Sequence, residues 1–254
     1  MTQRVQRLLH ITDTHLHASA DARMRGVTTD ETLRAVLAQA MHHPDHPDAI
    51  LITGDLVQDE TRSGYERLRG LLEQYERPVY CIPGNHDAPR IMASVLSGPP
   101  FQVGGEVYFG DWCLILLSSF KRGDDGGSLT AGELARLASE LERDRAEHYL
   151  VCLHHHPAPV GSRWLDGVGL YNADEFFEVI DSSTRVRCIV FGHVHQVYDR
   201  RRHGVRLLST PATCMQFLPN SDDFKLDTRP PGYRWLDLYT NGRIDTEVVW
   251  LEDE

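Results

Sequence analysis

Five short apolar runs in this chain end in side chains of one chemical kind. Residues 5–11 lead into Asp13-Thr14-His15, and 49–53 into Gly54-Asp55. Residues 79–82 lead into Gly84-Asn85-His86-Asp87, 149–153 into His154-His155-His156-Pro157, and 186–191 into Gly192-His193-Val194-His195. Carboxylate, imidazole and amide oxygen without thiolate suit Fe, Mn, Co or Zn at a catalytic site. They do not suit structural zinc, which prefers closed sulfur-rich tetrahedra. Asp13, His15, Asp55, Asn85, one histidine of the 154–156 triplet, His193 and His195 make seven donors. That is too many for one catalytic cation with an open position. With one carboxylate shared, they fit two cations about 3.5–4 Å apart.

The elements that position these residues alternate. Strand-length apolar runs at 5–11, 49–53 and 79–82 are separated by amphipathic stretches. One opens at Thr29, an N-cap type, with Leu33, Val36, Leu37 and Ala40 on one face; another covers 62–74; a short one covers 89–96. Residues 106–109 and 112–117 flank Gly110-Asp111 and predict a hairpin. Thr130 and Glu133 have capping-box spacing and open a helix. Strands at 149–153 and 186–191, with a short helix at 172–180 between them, precede a mostly β end at 205–209, 235–239 and 244–251. βαβ units first and hairpins last predict mixed sheets with helices packed outside, in one domain over 1–254. Ligand side chains at the carboxyl ends of strands place the site at a sheet edge. In extended backbone, residues i and i+2 point the same way, which pairs Asp13 with His15 and His193 with His195. Gly54, Gly84 and Gly192 precede ligands, where close approach or positive φ is required.

Composition narrows the function. The 254 residues carry 26 Lys+Arg against 37 Asp+Glu, a formal charge of −11. That balance disfavours nucleic acid and anionic membrane surfaces as partners. Fourteen histidines accord with metal chemistry. Cys81, Cys113, Cys152, Cys188 and Cys214 lie in or beside apolar runs without a CxxC, and read as buried free thiols of a cytoplasmic protein. Residues 1–10 have no apolar signal-peptide core, and no run reaches the roughly 18 apolar residues of a spanning helix.

The set DxH, GD, GNHD, a histidine after a strand, and GHxH resembles the calcineurin-like metallophosphoesterase superfamily. That resemblance implies a four-layer αββα sandwich, α/β in class, with two mixed sheets face to face. A wider likeness runs from about residue 10 to 251, through 11–16, 154–159, Trp164-Leu165-Asp166, Asn172, 210–214, Gln216-Phe217 and 224–228. These segments are similar to the bacterial class III 3′,5′-cyclic AMP phosphodiesterases. The resemblance implies that Asp13, His15 and His195 hold one cation, that Asn85, His154 and His193 hold the other, and that Asp55 bridges them. Aligning the triplet on its strand end and on Pro159 selects His154, with His155 next. His86 lies beside the phosphate as a catalytic group, and Asp87 orients its ring. His15, Asp55, Asn85, His86 and His195 contact substrate. The implied reaction is hydrolysis of a small-molecule cyclic nucleotide, 3′,5′-cyclic AMP, to 5′-AMP by in-line attack of a hydroxide bridging two divalent ions, Fe²⁺ or Mn²⁺. Other diesters, such as 2′,3′-cyclic nucleotides or glycerophosphodiesters, are the alternative substrates. A non-catalytic metal-dependent binding module is the alternative class, and metal content measured together with turnover separates it.

One departure is visible. Where relatives carry Asp in a Leu-Asp-Ser or Leu-Asp-Thr segment, this chain reads Leu117-Ser118-Ser119, which puts a local hydrogen bond in doubt. Trp164 reads as a packing anchor, with stacking on a base as the other reading. Residues 199–204, Asp-Arg-Arg-Arg-His-Gly, read as a solvated turn before a hairpin. His10 reads as a satisfied core histidine.

Overall fold

The computed structural model describes residues 3–143 and 145–252. In chain order they form β1 (Arg4–Ile11), β2 (Arg23–Met24), β3 (Val27–Thr28), α1 (Thr29–Met41), β4 (Ala49–Thr53), α2 (Arg62–Glu73), β5 (Val79–Ile82), α3 (Pro89–Val95), β6 (Phe101–Val103), β7 (Gly105–Phe109) and β8 (Trp112–Leu116). There follow α4 (Ala131–Glu142), β9 (His148–Cys152), α5 (Arg163–Asp166), α6 (Ala173–Asp181), β10 (Val186–Phe191), β11 (Tyr198–Arg202), β12 (Val205–Ser209), β13 (Gly232–Tyr239) and β14 (Ile244–Trp250).

Two mixed six-stranded sheets result, ordered β14-β13-β1-β4-β5-β6 and β11-β12-β10-β9-β8-β7. In the first, β1, β4, β5 and β6 run parallel through helical crossovers, and β13 and β14 return antiparallel. In the second, β8, β9, β10 and β12 are parallel and the edges β7 and β11 antiparallel.

The strand alternation decides the layers. In β1, Leu9 and Ile11 join Ile50, Ile52 and the apolar faces of α1 and α2. Leu8 turns the other way and packs with Ala49 and Leu51 against Leu114, Leu150, Cys188 and Val190 of the second sheet. The outer face of that sheet buries Ile115, Val151 and Ile189 under α4 and α6. Apolar residues on both faces of every central strand therefore produce helix, sheet, sheet, helix, the expected four layers. All five cysteines are buried and free. Among the described residues, no helix is long and apolar enough to cross a membrane.

Local signals held with small shifts. The α1 stripe is buried as expected, but the cap is Thr28, not Thr29, whose hydroxyl instead bonds the His15 carbonyl at 2.9 Å. The capping box at Thr130 is half formed. Its hydroxyl accepts from Glu133 N, while the Glu133 carboxylate turns to Ser118 N and Arg136. The 199–204 segment is not a solvated turn throughout. Its arginines lie on edge strand β11, and only His203-Gly204 turn. Charged side chains are tolerated there because an edge strand faces water. His10 is buried between the Thr53 and Thr210 hydroxyls, 2.8 and 2.7 Å away.

Candidate metal centre

The adjacent parallel strands β1, β4 and β5 of one sheet, and β9 and β10 of the other, end at the same side of the sandwich. Their following loops bring all the sequence-selected donors together. Asp55 occupies the middle: its Oδ2 lies 3.7 Å from His15 Nε2 and 3.4 Å from His154 Nε2. On one side, Asp13 Oδ1 is 3.3 Å from His195 Nε2, which is 3.2 Å from His15 Nε2. On the other, the Asn85 side-chain oxygen is 3.1 Å from both His154 Nε2 and His193 Nδ1.

Backbone geometry, not strand pleat, makes the pairs converge. The expectation that Asp13/His15 and His193/His195 align through extended backbone is not met. Both pairs lie past the strand ends, and all four residues have positive φ, as does Asp55, between 44° and 68°. Left-handed backbone is costly for residues with a Cβ, on the order of 1–3 kcal/mol each. It is held by cross-loop bonds: Asp13 N to Gly54 O, His15 N to Asp55 O, and His193 N to the Asp13 carboxylate. Gly54 has φ 98°, and a Cβ there would overlap the His154 ring. At Gly84 a Cβ would overlap the Asp55 carboxylate and backbone N. Only glycine lets these loops touch.

Second partners fix the imidazoles. His154 Nδ1 donates to Thr53 O at 2.7 Å and His195 Nδ1 to Met215 O at 2.8 Å. His15 Nδ1 donates to the Gln58 side-chain oxygen at 2.7 Å. Each bond holds a proton on Nδ1 and aims Nε2 at the centre, the orientation a metal requires once any Nε2 proton has left. Gln58 then donates its amide to His86 Nδ1 at 3.1 Å, which leaves the His86 Nε2 as the N–H.

The charges need a cation. Asp13 and Asp55 are buried. Burial opposes their ionisation, yet His195 holds Asp13, and His154 holds Asp55, below the usual carboxylate range. Reciprocally, and against burial, Asp55 raises His154 to about 9 and Asp13 raises His195. Burial depresses His15 to about 4; burial and the neighbouring rings also depress His193. Two protons thus stand where positive charge is needed, and the His193 Nε2 is buried without a partner. Two carboxylates, lone pairs from four rings and an amide oxygen fit divalent cations of the Fe, Mn, Co or Zn kind. Among the described residues, the His, Cys, Asp and Glu groups of three whose ligand atoms lie within 4.8 Å of one another are Asp13–Asp55–His154, His15–Asp55–His86, His15–His195–Cys214 and His154–His155–His193.

A family model for calcineurin-like phosphoesterases matches residues 6–197. The chain belongs to the calcineurin-like phosphoesterase family. Phosphoesterases of this family use a dinuclear metal centre, and the clusters above could hold one. Among curated relatives, the 3′,5′-cyclic adenosine monophosphate phosphodiesterase CpdA of Haemophilus influenzae is 39% identical over 98% of this chain and 91% of its own. Its counterpart from Vibrio vulnificus is 40% identical over 96% and 90%. Solved structures share the fold: a dimetal phosphatase from Danio rerio (TM-score 0.66, 15% identity, 98% of this chain and 100% of that one) and TT1561 of Thermus thermophilus (0.61, 16%, 96% and 98%).

Within this calcineurin-like phosphoesterase the expected role of Asp87 is corrected. Its carboxylate does not touch the His86 ring; that partner is Gln58. Asp87 is buried and accepts from Leu56 N and Val57 N at 3.1 Å, Gly84 N at 2.9 Å and Tyr65 Oη at 2.8 Å. It staples the Asp55 loop to the Asn85-His86 loop. Burial and the Asp55 charge push it up to about 6. In the triplet, His154 faces Asp55. His155 turns to the Ser119 hydroxyl at 2.7 Å, and Ser118, at the position of the relatives' Asp, gives its backbone N–H to Glu133 at 2.9 Å. Gln58 was not legible as a site residue. It follows no motif spacing, and only the meeting of the loops after β1, β4 and β5 gives it two imidazoles.

Proposed function

We propose that this protein is a phosphodiesterase that hydrolyses 3′,5′-cyclic AMP to 5′-AMP with two divalent cations, Fe²⁺ or Mn²⁺. The observation that carries the reading is Asp55, with one oxygen within 3.7 Å of one imidazole from each cluster, His15 and His154. The names of the relatives supply the substrate. Asp13, His15 and His195 would hold one cation, Asn85, His154 and His193 the other, and Asp55 both. When bound, such a pair supplies charge to the phosphoryl oxygens and activates water near neutral pH.

The chain's own groups do the rest. His15, Asp55, Asn85, His86, His193 and His195 line a cleft of about 550 Å³. His86 is fixed from two sides, by its backbone N on Asp55 Oδ1 at 2.9 Å and by Gln58 on Nδ1. Its Nε2–H is free to donate to a phosphate oxygen or to the departing 3′ oxygen. Such donation supports the in-line displacement by roughly 10²–10⁴-fold. The Asp87 staple keeps His86 and Asp55 at one spacing.

The test is chromatographic detection of product from 3′,5′-cyclic AMP with protein reconstituted with Mn²⁺ or Fe²⁺. Metal-dependent 5′-AMP as sole product is expected. Absence of product from protein holding two metals per chain overturns the substrate and directs attention to other phosphodiesters. His86→Ala is expected to keep both metals and lose about 10²-fold or more in kcat.

A further inference from the structure

The cleft above the donors has a wall that the phosphoryl chemistry leaves unused. Phe217 lies flat on the His195 ring, with 4.1 Å between centroids and 7° between planes. The aromatic wall therefore begins where the donors stop. Trp164 and Phe224 stand edge-on to Phe217 and to each other, at 5.2–5.3 Å. The three rings come from two segments, helix α5 and a loop closed by the Phe217–Leu226 bridge.

Packing accounts for Phe217, which is covered by His195. It also anchors Trp164 against the core of the second sheet, as its sequence reading expects, but does not account for Phe224. Phe224 is 41% exposed, and the Trp164 indole N–H is buried with no hydrogen-bond partner. A buried unpaired donor is costly, and an acceptor entering the cleft relieves it. Above Phe224 sits the Arg25 guanidinium, 5.0 Å from the ring centroid, on a turn with φ 52°. It is an exposed planar cation already resting on a π face, and an incoming heterocycle offers it a second such face.

We infer that Trp164, Phe224 and Arg25 form the base subsite of this cleft, and that it takes a purine. A diester whose phosphate reaches the donors extends its base, one sugar away, along the Phe217 wall. The base packs beside Phe224 beneath Arg25, and a purine ring nitrogen accepts the Trp164 N–H. This subsite rests on the phosphodiester reading above, and it makes the heterocycle, besides the phosphate, a determinant of substrate choice.

The experiment compares 3′,5′-cyclic AMP with the base-free cyclic phosphate of 1-deoxyribose on Mn²⁺-loaded wild type, Trp164→Phe and Phe224→Ala. Trp164→Phe keeps a ring and removes only the N–H; Phe224 is exposed enough that its loss leaves the core intact. The wild type is expected to prefer cyclic AMP by at least tenfold in kcat/KM, and each substitution to lower that preference by about fivefold to tenfold. Calorimetry with 5′-AMP and ribose 5-phosphate reads the same preference in binding. Equal kcat/KM for both diesters in the wild type, or a preference unchanged in both variants, overturns the subsite. If neither diester is hydrolysed, the reaction reading fails and calorimetry decides alone. Preferred 5′-AMP binding that weakens in the variants supports the subsite, and equal binding of the two phosphates refutes it.

Discussion

Replacing Asp87 with Asn tests whether its carboxylate is a staple between loops. Four buried donors converge on two oxygens: Leu56 N, Val57 N, Gly84 N and the Tyr65 hydroxyl. Asn offers one oxygen and one NH₂. With the oxygen toward Val57 and Tyr65, the NH₂ meets Gly84 N–H across 2.9 Å. With the amide flipped, the NH₂ faces Val57 N–H, which is left alone. Either way one buried N–H is orphaned, at about 1–3 kcal/mol, and the remaining bonds lose their charge assistance, about 1 kcal/mol each for two. Against this sum of about 3–5 kcal/mol, the neutral amide relieves the burial and Asp55 repulsion that push the carboxyl up to about 6, about 3 kcal/mol at pH 7.5, so a net loss of about 0–2 kcal/mol is expected. Urea denaturation of the metal-free protein at pH 7.5 reads it directly, and Tm is expected to fall by no more than about 8 °C. Because Gly84 and Leu56 flank Asn85 and Asp55, Mn²⁺ affinity is expected to drop 10–100-fold. Stability within about 0.5 kcal/mol of wild type together with unchanged Mn²⁺ affinity would refute the staple. Unchanged stability with loss of kcat alone would instead return Asp87 to the His86 ring.

Gln58→Leu removes the amide that sets two tautomers, so Mn²⁺ affinity should fall by about 10–100-fold and kcat with it; unchanged values for both would sink that role. In the metal-free protein, His154, raised to about 9, and His195, also raised, carry protons that a cation must displace. Mn²⁺ binding at pH 7.5 is therefore expected to release about two protons, and affinity to rise with pH until about 9. Calorimetry in buffers of different ionisation enthalpy measures this, and pH-independent affinity from 6.5 to 8.5 contradicts it. His10 is held neutral by burial, its pKa lowered to about 3. The unfolded chain protonates it first, so its contribution is whole above about 6.5 and is lost as pH falls toward 3. Relative to His10→Asn, wild-type stability should decline by about 1.4 kcal/mol per pH unit between 6 and 4; parallel pH profiles would exclude it.

What the sequence determined by itself was the layering and the donor set. Apolar residues on both faces of β1, β4, β9 and β10 require cover on two sides, and the polar residues that end those strands can only meet at a sheet edge. That much is local, because strand period and strand termination are properties of a few neighbouring residues. The edge strand β11 was misread because arginines suit solvent in a turn and on an edge alike. Short β2, β3, β6 and α5 carry too few residues for a period. The tertiary structure alone decided how the donors converge. The left-handed turns at Asp13, His15, Asp55, His193 and His195 exist only because loops from different strands bond one another there. It alone gave Gln58 two imidazoles, moved Asp87 from a ring to four backbone and phenol donors, and set Phe217 on His195. Each depends on residues far apart in the chain, whose meeting no spacing within one segment encodes.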